Sequence, residues 1–159
     1  MIARYKKCDY LYVANRRRKE IITTKSQKAD VSFVHEGDLY FKEILEEELS
    51  DIYDVEFWVL YKSNILHIPE QWKLSNEKSV ITKEGILLIF ADGILPGWDV
   101  VEKNVCSRRV NISEISDARI VLMYKKKDGK TYNEHLIEEK SIAVSELNKY
   151  FDRYSKFEL

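Results

Sequence analysis

The chain has 159 residues, 45% of them hydrophobic and 33% charged, with 5 glycines and 2 prolines; this is the make-up of a folded globular chain and excludes an extended disordered one. A chain of this length buries roughly 70% of the surface its unfolded form exposes, so neither a disulfide nor a structural metal is needed for folding. A formal net charge of −1 excludes bulk electrostatic attraction to nucleic acid or an anionic membrane as the organising force.

Taken in chain order, strands dominate. Tyr10-Leu11-Tyr12-Val13 and Ile21-Ile22-Thr23-Thr24 are rich in aromatic and β-branched residues and flank the polar run NRRRKE, which predicts a hairpin with a basic tip. Val31 to His35 predicts another strand, and Val55 to Tyr61 a stronger one. Between them, Phe41, Ile44, Leu45, Leu49 and Ile52 recur at spacings of three and four. With Asp38 as N-cap, this predicts a helix whose remaining surface is largely Glu43, Glu46, Glu47 and Glu48. HIPEQWKLSNEKS, holding Pro69 and Trp72, reads as a loop between two halves. The expected organisation is therefore an N-terminal β-rich unit over 1–75 and a second half over 76–159, sharing one core.

In the second half, KEGILLIFADGILPGWD (Lys83 to Asp99) packs a long apolar run and three glycines. Consecutive apolar residues at Ile86 to Phe90 predict a strand buried on both faces, and Ala91-Asp92-Gly93 and Pro96-Gly97 are turn chemistry. A ligand loop is the alternative, but neither GxGxxG nor GxxxxGK[ST] is present. Strands are predicted at Asp99 to Glu102 and Val105 to Ile112. A hairpin follows, Ile120 to Tyr124 and Tyr132 to Ile137 about Asp128-Gly129, a pair that supplies positive φ. Ser145 as N-cap, with Leu147, Phe151 and Tyr154 on one face flanked by Tyr150 and Phe157, predicts a terminal helix.

The order ITKEGILLIFADGI, VNISEISDARI, IVLMYKKKDGKTY and a closing amphipathic helix resembles small bacterial domains related to the pleckstrin-homology fold. The resemblance covers residues 78 to 157 and implies a split barrel of two curved sheets, one end plugged by the helix. Two departures stand out. The tryptophans are Trp58, Trp72 and Trp98, so the terminal helix lacks the one such domains carry. The phosphoinositide-binding basic pattern is also missing, so no lipid ligand is implied. The expected fold class is α+β: mostly antiparallel β, one internal acidic helix, a C-terminal capping helix, and the split barrel in the second half.

Few residues point to catalysis. His35, His67 and His135 fall in different elements without a carboxylate or cysteine at ligand spacing, and His35-Glu36-Gly37-Asp38 reads as a strand end entering a helix cap. Asp128, Glu138 and Lys140 form a nuclease-like pattern on paper, but a turn and a solvated strand end explain them. The expectation is no enzyme, no metal and no cofactor. Cys8 and Cys106, far apart and without CxxC, fit a reducing compartment, and MIARYKKCDY lacks the apolar core of a signal peptide, so the expected location is cytoplasmic, without membrane association.

Charge is sorted along the chain. From Glu36 to Glu56 nine carboxylates face one base, Lys42, whereas Arg4 to Lys28 and Arg119 to Lys130 are basic blocks. One reading is that these faces are solvated or pair within the molecule. The functional reading is an acidic contact surface made of Glu43, Glu46, Glu47, Glu48 and Asp51 that steers a basic protein partner, such as a toxin or nuclease. It implies a bacterial or phage immunity or inhibitor protein that occludes its partner's site. The rival is a nucleic-acid accessory protein, gripping phosphates with Arg16, Arg17, Arg18 and Lys19 and stacking bases on Tyr10 and Tyr12.

Overall fold

The computed structural model describes residues 1–16, 18–69, 80–82 and 85–155. Of the residues singled out above, Arg17, Trp72 and Phe157 lie outside these, as does 70–79 of the inter-half loop; the loop's first residues, His67 and Ile68, instead end a strand. The chain forms mostly antiparallel β-structure with one α-helix among the described residues, at its C-terminal end. No helix among them is long and apolar enough to cross a membrane.

Contacts group the chain into two compact units that interleave in sequence. The first comprises Met1–Val55, Leu122–Glu138 and Asp152–Leu159, the second Glu56–Val121 and Glu139–Phe151. In the first, strands β1 (Ile2–Tyr5), β2 (Cys8–Ala14), β3 (Lys19–Thr23), β4 (Val34–Glu36) and β5 (Leu39–Glu43) join residues 51–55 of β6 (Asp51–Tyr61) in the order β6-β1-β2-β3-β5-β4, all antiparallel. The turn joining β1 to β2 is Lys6-Lys7, both at positive φ (47° and 66°). This is the backbone shape two-residue hairpins require, here made without glycine or asparagine.

The pleat sorts this sheet's side chains into two faces. One carries Ala3, Tyr5, Tyr10, Tyr12, Ile21 and Ile52, packed with Ile44 and Leu49 into a buried core. A buried tyrosine needs a partner for its hydroxyl. Each of the three has one: Tyr10 Oη donates to the Lys28 carbonyl at 2.9 Å, Tyr12 Oη to Glu46 at 3.0 Å, and Tyr5 Oη accepts from Lys42 Nζ at 2.6 Å. Burial pushes the Tyr10 phenol up to about 12.

On the other face, register aligns one apolar residue per strand: Tyr53, Ile2, Leu11, Ile22, Phe41 and Val34. At its Ile2–Tyr53 end this row is buried. Tyr124 and Leu122 of β12 (Ile115–Lys127), Leu136 of β13 (Lys130–Ile142) and Tyr154 of helix α1 (Leu147–Ser155) pack there. Towards β4 the row opens: Leu11, Ile22 and Phe41 are half-buried and Val34 is 57% exposed.

The helix expected over 38–52 does not form. Gly37 (φ 59°) and Asp38 turn β4 into β5, Glu46–Glu48 make a single 3₁₀ turn, and β6 begins at Asp51. Two physical reasons favour strands. A helix would stack Glu43 on Glu46 and Glu47, and Glu47 on Asp51, at repulsive i, i+3 and i, i+4 spacings. Leu39-Tyr-Phe-Lys-Glu43 also alternates between the two faces, placing Phe41 in the row and Lys42 beside Tyr5. Ser145 likewise does not cap α1, because it sits inside a 3₁₀ turn, Val144–Glu146, that leads into the helix.

The second unit builds on residues 56–61 of β6, β7 (Asn64–Ile68), β8 (Ile81–Thr82), β9 (Gly85–Phe90), β10 (Asp99–Glu102) and β11 (Val105–Val110). β6 pairs with β7, β7 with β9, β9 with β8 and β11, and β11 with β10. Val59, Leu66, Val80, Ile86, Leu88 and Cys106 are buried here, and Phe57 meets Phe151 of α1 edge to face at 5.4 Å. The run Ile86 to Phe90 is thus a strand, as its composition predicts, but it is not buried on both faces: Ile86 and Leu88 are buried, whereas Leu87, Ile89 and Phe90 are half-buried.

Gly85 opens that strand at φ 144°, and a Cβ there would lie 2.0 Å from the Val110 carbonyl oxygen. No side chain fits against backbone at that distance. Gly85→Ala is expected to destabilise the protein by about 3 kcal/mol or more, read by chemical denaturation. Stability unchanged within about 0.5 kcal/mol would contradict this close approach.

Candidate functional site

The β2–β3 turn and the segment after β5 are far apart in sequence, and the register of the first unit brings them together. Because β2 pairs with β3 and β3 with β5, the end of β5 lies beside the start of β3. Between them is an open pocket of about 410 Å³, lined on one side by Arg16, Arg18 and Lys19 and on the other by Glu43, Leu45 and Glu48. Both charge clusters singled out in the sequence therefore border one site.

They largely neutralise each other. Lys19 Nζ lies 2.9 Å from Glu46 Oε1, the same oxygen that accepts from Tyr12. Through the Lys19 ammonium first and the Tyr12 hydroxyl after it, this carboxyl is held below its ordinary value of 4.5. Arg18 spans two carboxylates, 3.4 Å from Glu20 and 3.9 Å from Glu43. These glutamates face each other across β3 and β5, a like-charge pairing that a cation between them offsets. The Glu20 carboxylate is nearly enclosed, and its Oε1 has no hydrogen bond, only this ionic contact.

Several expected site residues have structural duties that remove them from a contact surface. Asp51 is 3% exposed, accepts from the backbone N–H of Asp128 at 2.9 Å and pairs with Arg4 at 3.2 Å. Arg4 also bonds Asp9 at 2.9 Å, and that carboxylate raises the guanidinium's already high pKa. Glu48, by contrast, stays exposed while its carboxylate accepts from the Leu45 N–H. Tyr10 and Tyr12 are each 3% exposed and cannot stack on bases. What remains outward on the ridge is Glu43, Glu47 and Glu48, with Arg16 at the basic tip.

The second basic block is also paired within each unit. Arg119 bonds Asp117 and Glu139, Lys127 bonds Glu138, and Lys126 is buried and donates to the Glu46 carbonyl. Asp128, at φ 49°, is the first residue of the hairpin turn. Among the described residues, no three His, Cys, Asp or Glu side chains cluster so as to hold a metal ion. His35 stacks on Tyr40 at 4.4 Å, and His67 lies 3.4 Å from Glu56.

The depressed Glu46 pKa carries a sign. It contributes stability above about pH 4.5 that is lost as pH falls through the folded-state value. Both side chains of the pair are more than 40% exposed, so the contribution stays below about 1 kcal/mol. Lys19→Met is expected to raise the Glu46 titration midpoint in carboxyl-resolved NMR, and its stability deficit should shrink on acidification. An unmoved midpoint would show that the lysine does not set it. Against known proteins, the chain matches no family model, no curated protein and no solved structure.

Proposed function

We propose that this chain is a non-enzymatic protein-binding protein, of the immunity or inhibitor kind, that covers a partner's functional site with a carboxylate-bearing surface. One observation carries the reading. On the ridge after β5, Glu43, Glu46, Glu47 and Glu48 outnumber the cations that pair with them, Arg18 and Lys19, so an outward negative excess persists after internal pairing. An excess of this kind speeds the approach of a basic partner and fixes its orientation more than it adds affinity. Rigidity supports the same reading, because the ridge is tied down by the Tyr12–Glu46 bond and the Lys126 contact. A preorganised surface gives up less entropy on binding.

The rival reading, a phosphate grip at the hairpin tip, draws its support from Arg16, exposed in the pocket beside Arg18 and Lys19. The pleckstrin-homology-like split barrel proposed for residues 78–157 is supported by the order of β9, β11, the β12–β13 hairpin and α1 along the chain. A cytoplasmic setting belongs to the same proposal.

The test is kinetic. A partner captured from the source cell and purified is mixed with wild type and with the Glu47→Lys/Glu48→Lys variant. The association rate is expected to fall at least tenfold at low salt, with the difference vanishing at 1 M salt, where the screening length is about 3 Å. Equal rates with an intact fold sink the acidic-surface reading. Salt-sensitive binding of oligonucleotides, lost in Arg16→Ala, transfers the proposal to nucleic acid.

A further inference from the structure

The apolar row on the second face of the first unit is used by neither the core nor the pocket along its open half. We propose that Leu11, Ile22, Phe41 and Val34 form a docking strip for an amphipathic helix of a partner protein, bearing lysines or arginines on both sides of its apolar stripe. The proposal rests on the reading of the chain as a protein-binding protein and adds the surface and the partner's chemistry.

The geometry makes the argument. Register places these four residues in line across β2, β3, β5 and β4. Strands are about 4.8 Å apart, so the line runs about 14 Å, the length of roughly three helical turns presenting apolar residues at i, i+4, i+7 and i+11. The other end of the row already shows what the strip does when covered. Ile2 and Tyr53 are buried under Tyr124, Leu122, Leu136 and Tyr154. Beyond them the strip is open among the described residues: Val34 and neighbouring Leu39 are 57% and 44% exposed. β4, the last strand of the sheet, carries no further strand on its outer side among the described residues.

Charge chooses the occupant. On this face the open half of the strip is bordered by Glu20 and Glu43 on one side, with Arg18 between them, and by Asp9 and Glu36 on the other, where Arg4 and Arg153 pair with Asp9. The guanidiniums sit on Asp9, Glu20 and Glu43, and among the described residues Glu36, at the open end beside Val34, has no cation beside it in the register, so the open end repels an anionic lipid surface. It also repels a second copy of the same strip, which would bring the same carboxylates face to face. A helix flanked by basic side chains meets both borders favourably.

The probes are two designed helical peptides of about three turns with the same leucine stripe, one flanked by lysines and the other by glutamates. NMR of the intact chain follows the backbone amides. The lysine peptide is expected to shift residues 11, 22, 34 and 41 and to bind at least tenfold more tightly than the glutamate peptide. Val34→Lys, at an exposed position that leaves the core untouched, should cut that affinity at least tenfold. Equal binding of the two peptides overturns the proposal. So does a response confined to other residues, a sedimentation-defined dimer abolished by Val34→Lys, or stronger binding to phosphatidylserine vesicles than to the lysine peptide. The captured partner separates the two proposals. Association slowed by Glu47→Lys/Glu48→Lys but indifferent to Val34→Lys removes the strip and keeps the acidic ridge; the reverse removes the ridge and keeps the strip.

Discussion

Burying a tyrosine ring leaves its hydroxyl in need of a partner, and in the first unit that need organises the surface above it. Tyr12 lies in the core, and the group that takes its proton donor is Glu46, from the turn that follows β5. The bond draws the acidic turn onto the sheet, where the same carboxylate meets Lys19 from the end of the β2–β3 hairpin. The opposite charge blocks that the strand register sets side by side are thus tied together through a core residue. Without the hydroxyl, as with phenylalanine, the turn would keep its contacts to Lys19 and Lys126 but lose its bond to the core.

Arginines perform a second, related duty. Arg4 sits between Asp9 and Asp51, and Arg18 between Glu20 and Glu43. Asp9 and Asp51 stand on the strands that flank β1, which carries Arg4, whereas Glu20 and Glu43 face each other on adjacent strands; in both cases a guanidinium, with its fork of donors, reaches both carboxylates. Lysine, a point charge, would satisfy one at a time. The two bridges lie on either side of the apolar row and keep like charges tolerable along its borders.

Much of the second unit and both glycine-marked turns were legible in the sequence. β9 announced itself by consecutive apolar residues, β10 by its bounds Asp99 to Glu102, and the β12–β13 hairpin by Asp128-Gly129. The turns at Lys6-Lys7 and Lys62-Ser63 were illegible, because positive φ is imposed there on residues that do not advertise it. The region 38–52 misled for a different reason. Apolar residues at 41, 44, 49 and 52 satisfy a helical period, yet they serve two faces: Phe41 joins the open row while Ile44, Leu49 and Ile52 fill the tyrosine core. Leu45, read as part of the same stripe, is 67% exposed. Only pairing partners distant in sequence distinguish these arrangements. The acidic run is plain in the sequence, but which of its members hold the turn and which face outward depends on Tyr12, Lys19 and Asp128, invisible to local pattern.

The interleaving of the two units bears on how the chain acquires its shape during synthesis. Ile2 and Tyr53 emerge early from the ribosome, but Tyr124, which closes over them, follows some seventy residues after Tyr53. Until then the nascent N-terminal sheet carries an uncovered greasy flank, and it must wait for the intervening unit to be made before it can be sealed. Contacts so distant in sequence slow folding and lengthen exposure to misassociation. Translation speed across residues 56–121 therefore sets how long that flank stays open, and a holdase chaperone is best placed to act in that interval.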